Sequence, residues 1–393
     1  MLAITQSPHP AANSEPIRVY VSLELSKSLW LVTSMSPGNG RKTSTYRLPA
    51  RNIGKLLRLF AKLQMKARRR TGAEDDYEIV VIHEAGMDGF WISRSLEEAG
   101  IKCHVVDPAS IPVPRRYRKV KTDRVDGEVL LRTLITHELE WPRVCSMVRV
   151  PTVEQEDERE ISRHHEELVE KRSACVTRIK SMLMRHGIAD YEPSRKDRWE
   201  EFKKLRTSKG HELPKETKFR ITQALKELEF HIEQLRETDD ERDAIIAAKI
   251  AAAAAAGRPS PIEMLSKIHG IGRRSAFLLW TEGLFRHFDN RRQLASYAGL
   301  TPTPWKSGSI NHVQGVSKSG NPRMRKTLIQ LAWLWLRNQP HSPMTRWFHD
   351  RVAANKGRGK RTLIVAVARK LIVALWRYVN FGEVIEGAIM RHA

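Results

Sequence analysis

Short apolar runs alternate with amphipathic segments over the first third of the chain. Apolar runs bounded by turn residues predict strands, and apolar residues repeated every three or four positions predict helices. In chain order, the predicted elements are strands at 17–25, 29–35 and 42–48, a helix at 53–70, a strand at 78–83, a helix at 91–99, a strand at 102–106 and a helix at 123–136. Three strands followed by alternating helices and strands predict an α/β domain.

This order is typical of ribonuclease-H-like α/β layer folds, and we assign residues 17–142 to such a domain. Residues 1–16 carry no apolar periodicity and are predicted to be a disordered tail. They also lack the charged and apolar regions of a signal peptide.

A long, charged helical pattern follows and defines a middle region at 143–258. Two helices are predicted at 153–187 and 215–256, joined by the polar stretch 188–213. The second helix has an apolar seam flanked by Glu, Lys and Arg. This pattern predicts either an antiparallel helix hairpin or a coiled coil that forms a dimer.

The last region, 259–393, is predicted to be mostly helical. Residues 264–284 have the pattern helix, Gly-Ile-Gly turn, helix, which is typical of a helix–hairpin–helix. A short helix is predicted to end at 300, and two apolar helices are predicted at 326–338 and 361–379. Between the short helix and the first of these apolar helices, the polar stretch 301–325 is predicted to be a functional loop, because long loops in compact domains usually carry function.

The charge of the chain narrows the classes of partner. A formal net charge of +23, spread along the chain, favours a polyanion, and nucleic acid is the leading partner. A membrane surface is less favoured, since no basic amphipathic segment stands apart from the globular pattern. The three cysteines are far apart in the sequence, which fits a reducing cytoplasm. No apolar run spans about 18 residues, so we expect no membrane-spanning segment.

Four acidic residues lie where the predicted elements end or begin. Glu24 and Glu84 end two predicted strands, and Asp123 and Asp126 open a predicted helix on one of its faces. Together they offer the hard oxygen ligands that Mg²⁺ prefers. The alternative is that each acid is a surface or capping residue, as Asp123 would be at a helix N-terminus. We favour the metal site because the acids combine two strand ends with an i, i+3 pair.

Basic residues stand beside these acids and at the glycine turn. Because glycines allow close backbone approach and a helix N-terminus favours a phosphate, the turn is also predicted to contact nucleic acid. The predicted nucleic-acid contacts in these two places are Arg115, Arg116, Lys119, Lys121, Gly270, Gly272, Arg273 and Arg274.

A second constellation is based on hydroxyl groups in the stretch 301–325. Ser307 lies in the sequence WKSGS, and a serine there could attack phosphorus if its hydroxyl lost its proton to a neighbour. The alternative is a phosphate-binding loop whose serines only donate hydrogen bonds. The predicted phosphate contacts of this stretch are Lys306, Lys318, Arg323 and Arg325, and the serines beside Ser307 are Ser309, Ser317 and Ser319.

Several segments together resemble a known family. They are VYVSLELSK at 19–27, HEAG at 83–86, KTDRVD at 121–126, and the C-terminal HGIGRRSA, LASYAGLTP, SGSINHVQGVSKSGNPRMRK and VARKL. From about residue 19 to residue 379, the chain resembles the DEDD-type insertion-sequence transposases. That group is related to the Piv invertase and is described as bridge-RNA-guided serine recombinases.

The resemblance implies a RuvC-like Mg²⁺ site formed by Glu24, Glu84, Asp123 and Asp126, and a nucleophilic serine at Ser307. It also implies donor and target DNA as substrates, a non-coding guide RNA, a dimer or tetramer with sites shared between subunits, and a location at the nucleoid. The chain departs from the family pattern at the first acid, where no aspartate precedes Asp75 and glutamate takes its place.

The leading hypothesis is therefore a DNA transposase or recombinase that works through a covalent serine–DNA intermediate. One alternative is a RuvC-like metal-dependent nuclease that cuts branched DNA with activated water. Another is a non-catalytic nucleic-acid-binding protein that retains only the fold.

Overall fold

A computed structural model describes residues 17–37, 40, 42–72, 77–86, 89–112, 123–307, 310–316 and 320–391; for 123, 124, 303–307 and 310–314 only the backbone is described. The described chain divides into two compact units between Thr152 and Val153. The predicted tail at 1–16 lies outside the described residues. The finer predicted boundaries at 142 and 258 stay predictions.

The first unit has the predicted order of strands and helices. Its elements are β1 Ile17–Glu24, β2 Leu29–Met35, β3 Thr43–Pro49, α1 Ile53–Thr71, β4 Tyr77–Glu84, α2 Trp91–Glu98, β5 Lys102–Val106 and α3 Asp123–Leu139. The strands form one sheet in the order β3-β2-β1-β4-β5. β1 pairs antiparallel with β2 and parallel with β4, so the sheet is mixed.

Alternation along the strands divides this unit into layers. Val19, Val21 and Leu23 of β1 pack with α1 and α2 on one face of the sheet. On the other face, Tyr20 of β1 packs with Leu130 and neighbouring residues of α3. Because side chains of a strand alternate between faces, even-numbered residues of β1 point towards α3.

The second unit begins with helices that pack as a hairpin. Its first elements are α4 Val153–Asp157, α5 Glu160–Met184, α6 Arg198–Lys204 and α7 Lys215–Ala255. Arg178 pairs with Glu227, whereas His165, earlier in α5, lies 3.2 Å from Asp239, later in α7. This order of contacts makes α5 and α7 antiparallel, which agrees with the predicted hairpin. The predicted dimer-forming coiled coil stays a prediction.

The rest of the second unit surrounds its last helix. The elements are α8 Pro261–Ser266, α9 Arg273–Leu279, a π-helical turn at Trp280–Leu284, α10 Arg291–Tyr297, β6 Pro302–Ser307, β7 Ile310–Val316, α11 Pro322–Asn338, α12 Pro343–Ala354 and α13 Lys360–Phe381. Leu371, Ile372 and Leu375 of α13 are fully buried in the core of this unit.

Two predictions for the C-terminal region were wrong. The stretch 301–325 was predicted to be a loop, but β6 and β7 form an antiparallel hairpin and α11 begins at Pro322. Helix α12 was not predicted. Thr345 and Phe348 are its only fully buried residues among those described, so its sequence has little apolar periodicity.

Candidate functional site

The parallel pairing of β1 and β4 brings two of the predicted acids together. Leu23 lies opposite His83 in this register, so the next residues, Glu24 and Glu84, end neighbouring strands at the same edge. Both follow the alternation that points towards α3. The strand ends therefore direct two carboxylates to one side of the sheet.

Helix α3 approaches these strand ends through a glycine. The hydroxyl of Ser22 donates a hydrogen bond of 2.7 Å to the backbone oxygen of Gly127. A Cβ atom at position 127 would lie 2.8 Å from Oγ1 of Thr33 and 3.6 Å from Cγ of Glu24. A larger residue would push α3 away, so glycine lets the first turn of this helix lie against Glu24.

This contact places the predicted aspartates beside the strand ends. Asp126 precedes Gly127 in the first turn of α3 and is partly exposed. Asp123 is the first residue of α3, and its side chain lies outside the described residues. So do the predicted phosphate contacts Arg115, Arg116, Lys119 and Lys121. Three of the four predicted acids are thus described in full, and the first turn of α3 lies beside Glu24.

The donor chemistry of these acids fits a hard divalent cation. Carboxylate oxygens are the ligands that Mg²⁺ takes from proteins, usually from one or two carboxylates, with water and substrate phosphate completing the shell. The carboxylates of Glu24, Glu84 and Asp126 are not among the described groups of three whose ligand atoms lie within 4.8 Å of one another. Because like charges repel, a cation would be needed to draw these carboxylates closer.

Two other groups do lie that close, but basic side chains already neutralise their carboxylates. They are His104, His137 and Glu138, and Cys175, Glu227 and His231. Glu138 accepts a hydrogen bond of 2.8 Å from Lys102, and Glu227 pairs with Arg178. Sulfur and nitrogen donors also suit Zn²⁺ better than Mg²⁺. We therefore interpret both groups as ion-pair networks that join secondary-structure elements.

Ser307 lies at the far end of the hairpin formed by β6 and β7. It is the last residue of β6 and faces Ile310 in the register. The side chains of Lys306 and Ser307, and Lys318 with the neighbouring serines 309, 317 and 319, lie outside the description. The structure thus shows where the backbone of Ser307 lies in the hairpin.

The start of α11, which follows the hairpin in the chain, is held by a hydrogen bond between Asn321 and Glu282 that the sequence did not reveal. Gly320 has a φ of +97°, and a Cβ atom there would lie 2.7 Å from the backbone oxygens of Ser296 and Tyr297. Asn321 then caps α11, with its Oδ1 accepting hydrogen bonds of 3.1 and 3.0 Å from the next helical amides. Its Nδ2 donates a hydrogen bond of 2.7 Å to Oε2 of Glu282, which is only 2 % exposed.

The backbone oxygen of Glu282 strengthens the same anchor. It accepts hydrogen bonds from the Tyr297 hydroxyl at 2.7 Å and from Asn321 at 3.3 Å. Arg163 brings its Nε to 3.7 Å from Oε1 of Glu282. The one sequence signal was Asn321 itself, since asparagine before proline at a helix start is a good cap.

The segment predicted to be a helix–hairpin–helix has the predicted order of helix, turn and helix, formed by α8 and α9. Gly270 has a φ of +95° and packs against Asn338, and Gly272 immediately precedes α9. Arg274 does not face open solvent alone: its guanidinium lies 2.7 Å from Asp239 and 3.0 Å from Asp243. These hydrogen bonds, the one donated to Asp243 first, raise the pKa of Arg274 against the effect of burial. Arg273 is exposed and has no such partner among the described residues.

The two predicted contacts at the start of α11 differ in their surroundings. Arg323 Nε donates a hydrogen bond of 2.9 Å to Glu166, which also accepts one of 2.7 Å from Lys326. Although burial opposes it, these two basic partners lower the pKa of Glu166. Arg325 lies in the same helical turn and is partly exposed. Arg323 therefore joins α11 to α5 and is less available to a phosphate than the prediction supposed.

Known proteins resemble this chain along nearly its whole length. Residues 262–345 match the family model described as "Transposase IS116/IS110/IS902 family". The putative transposase y4rJ of Sinorhizobium fredii is 52% identical over 377 residues, which cover 95% of this chain and 94% of that protein. The transposase for insertion sequence element IS1111A of Coxiella burnetii is 24% identical over 77% of this chain and 78% of its own length.

A further relative has a different described role. The pilin gene-inverting protein of Moraxella lacunata is 33% identical over 28% of this chain and 34% of its own length.

Among the described residues, no helix combines the length and apolarity needed to cross a membrane.

Proposed function

The chain belongs to the IS116/IS110/IS902 family of transposases, and from this membership we propose that it cleaves and exchanges DNA strands with two separate sets of residues. One set is the acidic edge formed by Glu24, Glu84, Asp123 and Asp126. The other is Ser307 on the hairpin of β6 and β7. The predicted insertion-sequence transposase family is confirmed; the roles of these residues are the proposal.

The close approach of Gly127 to Thr33 and Glu24 is the observation that carries the acidic edge. It brings the first turn of α3 to the ends of β1 and β4, where the two glutamates lie. The strand order, with β1 between an antiparallel and a parallel neighbour, supports a ribonuclease-H-like assignment for this unit. The alternation of β1 and β4, which turns Glu24 and Glu84 towards α3, supports the proposal that the four acids form one site.

In this proposal the four acids hold Mg²⁺ and, through it, fix a DNA phosphate. When bound, the cation would polarise a phosphoryl oxygen and lower the barrier to displacement. Glu24 and Glu84 come from rigid strand ends and Asp123 and Asp126 from a helix start, so the scaffold sets their spacing. Their negative charges disfavour a bare phosphate and favour one that arrives with the cation.

Ser307 is proposed to be the nucleophile. Its Oγ forms a bond to phosphorus as the hydroxyl gives up its proton, the bond from phosphorus to one deoxyribose oxygen breaks, and the leaving oxygen takes up one proton, so no net proton is gained or lost. The result is a phosphoseryl link that preserves the energy of the phosphodiester for rejoining to another strand. The neighbouring Lys306, Lys318 and Arg325 are proposed to balance the phosphate charge.

A guide RNA and a homo-oligomer complete the proposal. The family resemblance of the chain and its net charge of +23 support an RNA partner beside DNA. Purification of the expressed chain with and without ribonuclease treatment, followed by sequencing of bound RNA, tests this part. Recovery of one discrete RNA encoded beside the gene is expected, whereas a random mixture of cellular RNA would contradict it.

Trapping of covalent protein–DNA complexes tests the catalytic proposal. The full chain is incubated with a plasmid carrying the coding sequence and its native flanks, with Mg²⁺ or with EDTA, and adducts are counted after denaturation. Ser307→Ala should abolish adducts, whereas its neighbour Ser309→Ala should retain them. Asp126→Asn should lower adducts by about 100-fold or more, because a metal ion supplies several kcal/mol of transition-state stabilisation.

The controls separate the three functions considered above. Glu140→Gln removes an exposed acid just beyond α3 and should leave adduct formation unchanged. Cleavage that survives Ser307→Ala but is lost in Asp126→Asn would indicate a metal-dependent nuclease instead. DNA binding without cleavage in any variant, with or without Mg²⁺, would indicate a non-catalytic protein.

A further inference from the structure

Helix α13 has a second face that is only partly buried. Leu371 and Leu375 point into the core of the second unit, whereas residues at 366, 369, 370, 373, 374 and 377 line a cavity of about 720 Å³. These positions recur every three or four residues, so they form one stripe along the helix. Met344 and Trp347 of α12, the start of α10, and the segment 383–386 complete the walls. We call this cavity the α13 groove.

The α13 groove concentrates positive charge. Arg291, Arg292, Arg369, Lys370 and Arg377 line it, against two acids, Glu383 and Glu386. Arg377 lies 3.7 Å from Glu383, but Arg291, Arg292 and Arg369 have no acidic partner among the described residues. This contrasts with Arg274 and Arg323, whose charges carboxylates already satisfy. Three unpaired guanidinium groups at one groove favour an anionic ligand.

The floor of the α13 groove is apolar and aromatic. Met344, Val373 and Ala374 provide the apolar surface, and Trp347 is partly exposed at its side. Nζ of Lys370 lies 3.8 Å from the centroid of the Trp347 ring, a cation–π contact that holds the indole at the wall. A ligand that fills the groove must therefore combine a flat or apolar part with negative charge.

We propose that the α13 groove binds an unpaired segment of a DNA strand, with bases on the apolar floor and phosphates at the arginines. Proteins that bind single strands combine a positively charged groove with aromatic side chains in this way. Paired bases are turned inward in a duplex and cannot reach the floor. The proposal rests on the proposed strand exchange, which frees strands from their complements, but it concerns residues outside both catalytic sets.

Equilibrium binding of labelled oligonucleotides tests the groove without any catalysis. The probes are a mixed-sequence DNA strand of about 20 nucleotides, the matching duplex, and the same sequence as RNA. The test variant is the double Arg292→Glu/Arg369→Glu. The control double, Arg172→Glu/Arg220→Glu, makes the same change of charge at exposed positions of α5 and α7.

The double variant in the α13 groove should weaken binding of single-stranded DNA by about 10-fold. It should also reduce the slope of log K against log salt concentration by about 1.4, because each phosphate contact contributes about 0.7 to that slope. The control double should change affinity by about 2-fold at most, and duplex binding should fall no further than in that control. Equal losses in both doubles, or an equal loss for duplex, would overturn the proposal. So would an effect confined to RNA, or displacement of the DNA by poly-glutamate of matched charge.

Photocrosslinking in the unaltered chain keeps the proposal testable if the double variant does not fold. A DNA strand carrying 5-iodouracil should crosslink to peptides that contain Trp347 or Arg369. Crosslinks found only elsewhere would overturn the assignment. Crosslinking at Trp347 should be unchanged in Ser307→Ala even though covalent adducts are lost. This result would show that DNA binding in the groove does not depend on the proposed catalytic serine.

Discussion

Replacing Asn321 with alanine tests whether the buried carboxylate of Glu282 anchors the hairpin that carries Ser307. The change removes the cap of α11, whose loss costs about 1 kcal/mol. It also removes the 2.7 Å hydrogen bond to Glu282, a side chain 2 % exposed. A hydrogen bond to a buried charge contributes about 2 kcal/mol, so the free energy of unfolding should fall by about 3 kcal/mol.

Asn290 provides a matched control in the same unit. Its side chain caps α10 by accepting hydrogen bonds of 2.9 and 3.1 Å from two backbone amides, which matches the cap at Asn321. Asn290→Ala lacks the second loss and should cost only about 1 kcal/mol. The difference of about 2 kcal/mol then isolates the bond to Glu282.

Denaturant unfolding of the full chain, followed by circular dichroism, measures both changes in one transition. A double-mutant cycle with Glu282→Gln should show coupling between the two side chains. Equal costs for Asn321→Ala and Asn290→Ala, or no coupling in the cycle, would refute the anchor.

The anchor also bears on activity because Ser307 lies about 16 Å along β6 from the base of the hairpin, at about 3.3 Å per residue. A rotation of about 10° at the base would move the serine by about 3 Å over that length, enough to remove it from a phosphate. Asn321→Ala should therefore lower covalent adduct formation more than Asn290→Ala does, at a temperature where both remain folded.

Two further predictions concern the first unit. Gly127→Ala would place a Cβ atom 2.8 Å from Oγ1 of Thr33, so it should destabilise the unit by about 1–3 kcal/mol and reduce adduct formation. Gly86→Ala should be tolerated, because a Cβ atom there would have no atom within 4 Å. Unchanged stability and adduct formation in Gly127→Ala would contradict the close approach. Burial lowers the pKa of His104 below 6.5, so the folded state binds fewer protons than the unfolded state there and stability should fall as the pH drops through about 6.5. His104→Gln should flatten that pH dependence in denaturation series, and an unchanged slope would count against it.

Local periodicity was enough to predict the strands and the helix that carry the four acids. Alternation along β1 and β4 and the helical pattern of α3 each concern a few consecutive residues, and chain order implied which strand ends would be neighbours. Gly127 was not singled out, because the need for glycine there arises from Thr33, which lies on another strand. The sequence therefore predicted which strand ends are neighbours but not the contact that brings α3 beside them.

Long-range pairing explains what remained hidden in the second unit. Arg274 was predicted to contact phosphate, yet its charge is satisfied by Asp239 and Asp243, more than 30 residues earlier. Conversely, Arg369 belongs to a sequence full of basic residues, and only the fold shows that it lines the α13 groove beside other arginines. Prolines 302 and 304 concealed β6, because proline is uncommon inside strands.

Glutamate stands at position 24, where the family resemblance leads one to expect aspartate, and it lies beside the first turn of α3. The Cγ atom of Glu24 is the methylene that an aspartate would lack, and it lies 3.6 Å from where a Cβ at 127 would stand, which is an ordinary van der Waals contact. The longer side chain therefore fits beside this turn without a clash. Glu24→Asp should withdraw the carboxylate by one methylene and lower adduct formation by about 100-fold, as small misplacements at reacting centres do. Because only one partly buried methylene is lost, stability should change by less than about 1 kcal/mol. Adduct assays and denaturation of the same variant measure both effects; activity equal to or above that of the unaltered chain would show that the length of Glu24 is not matched to this edge.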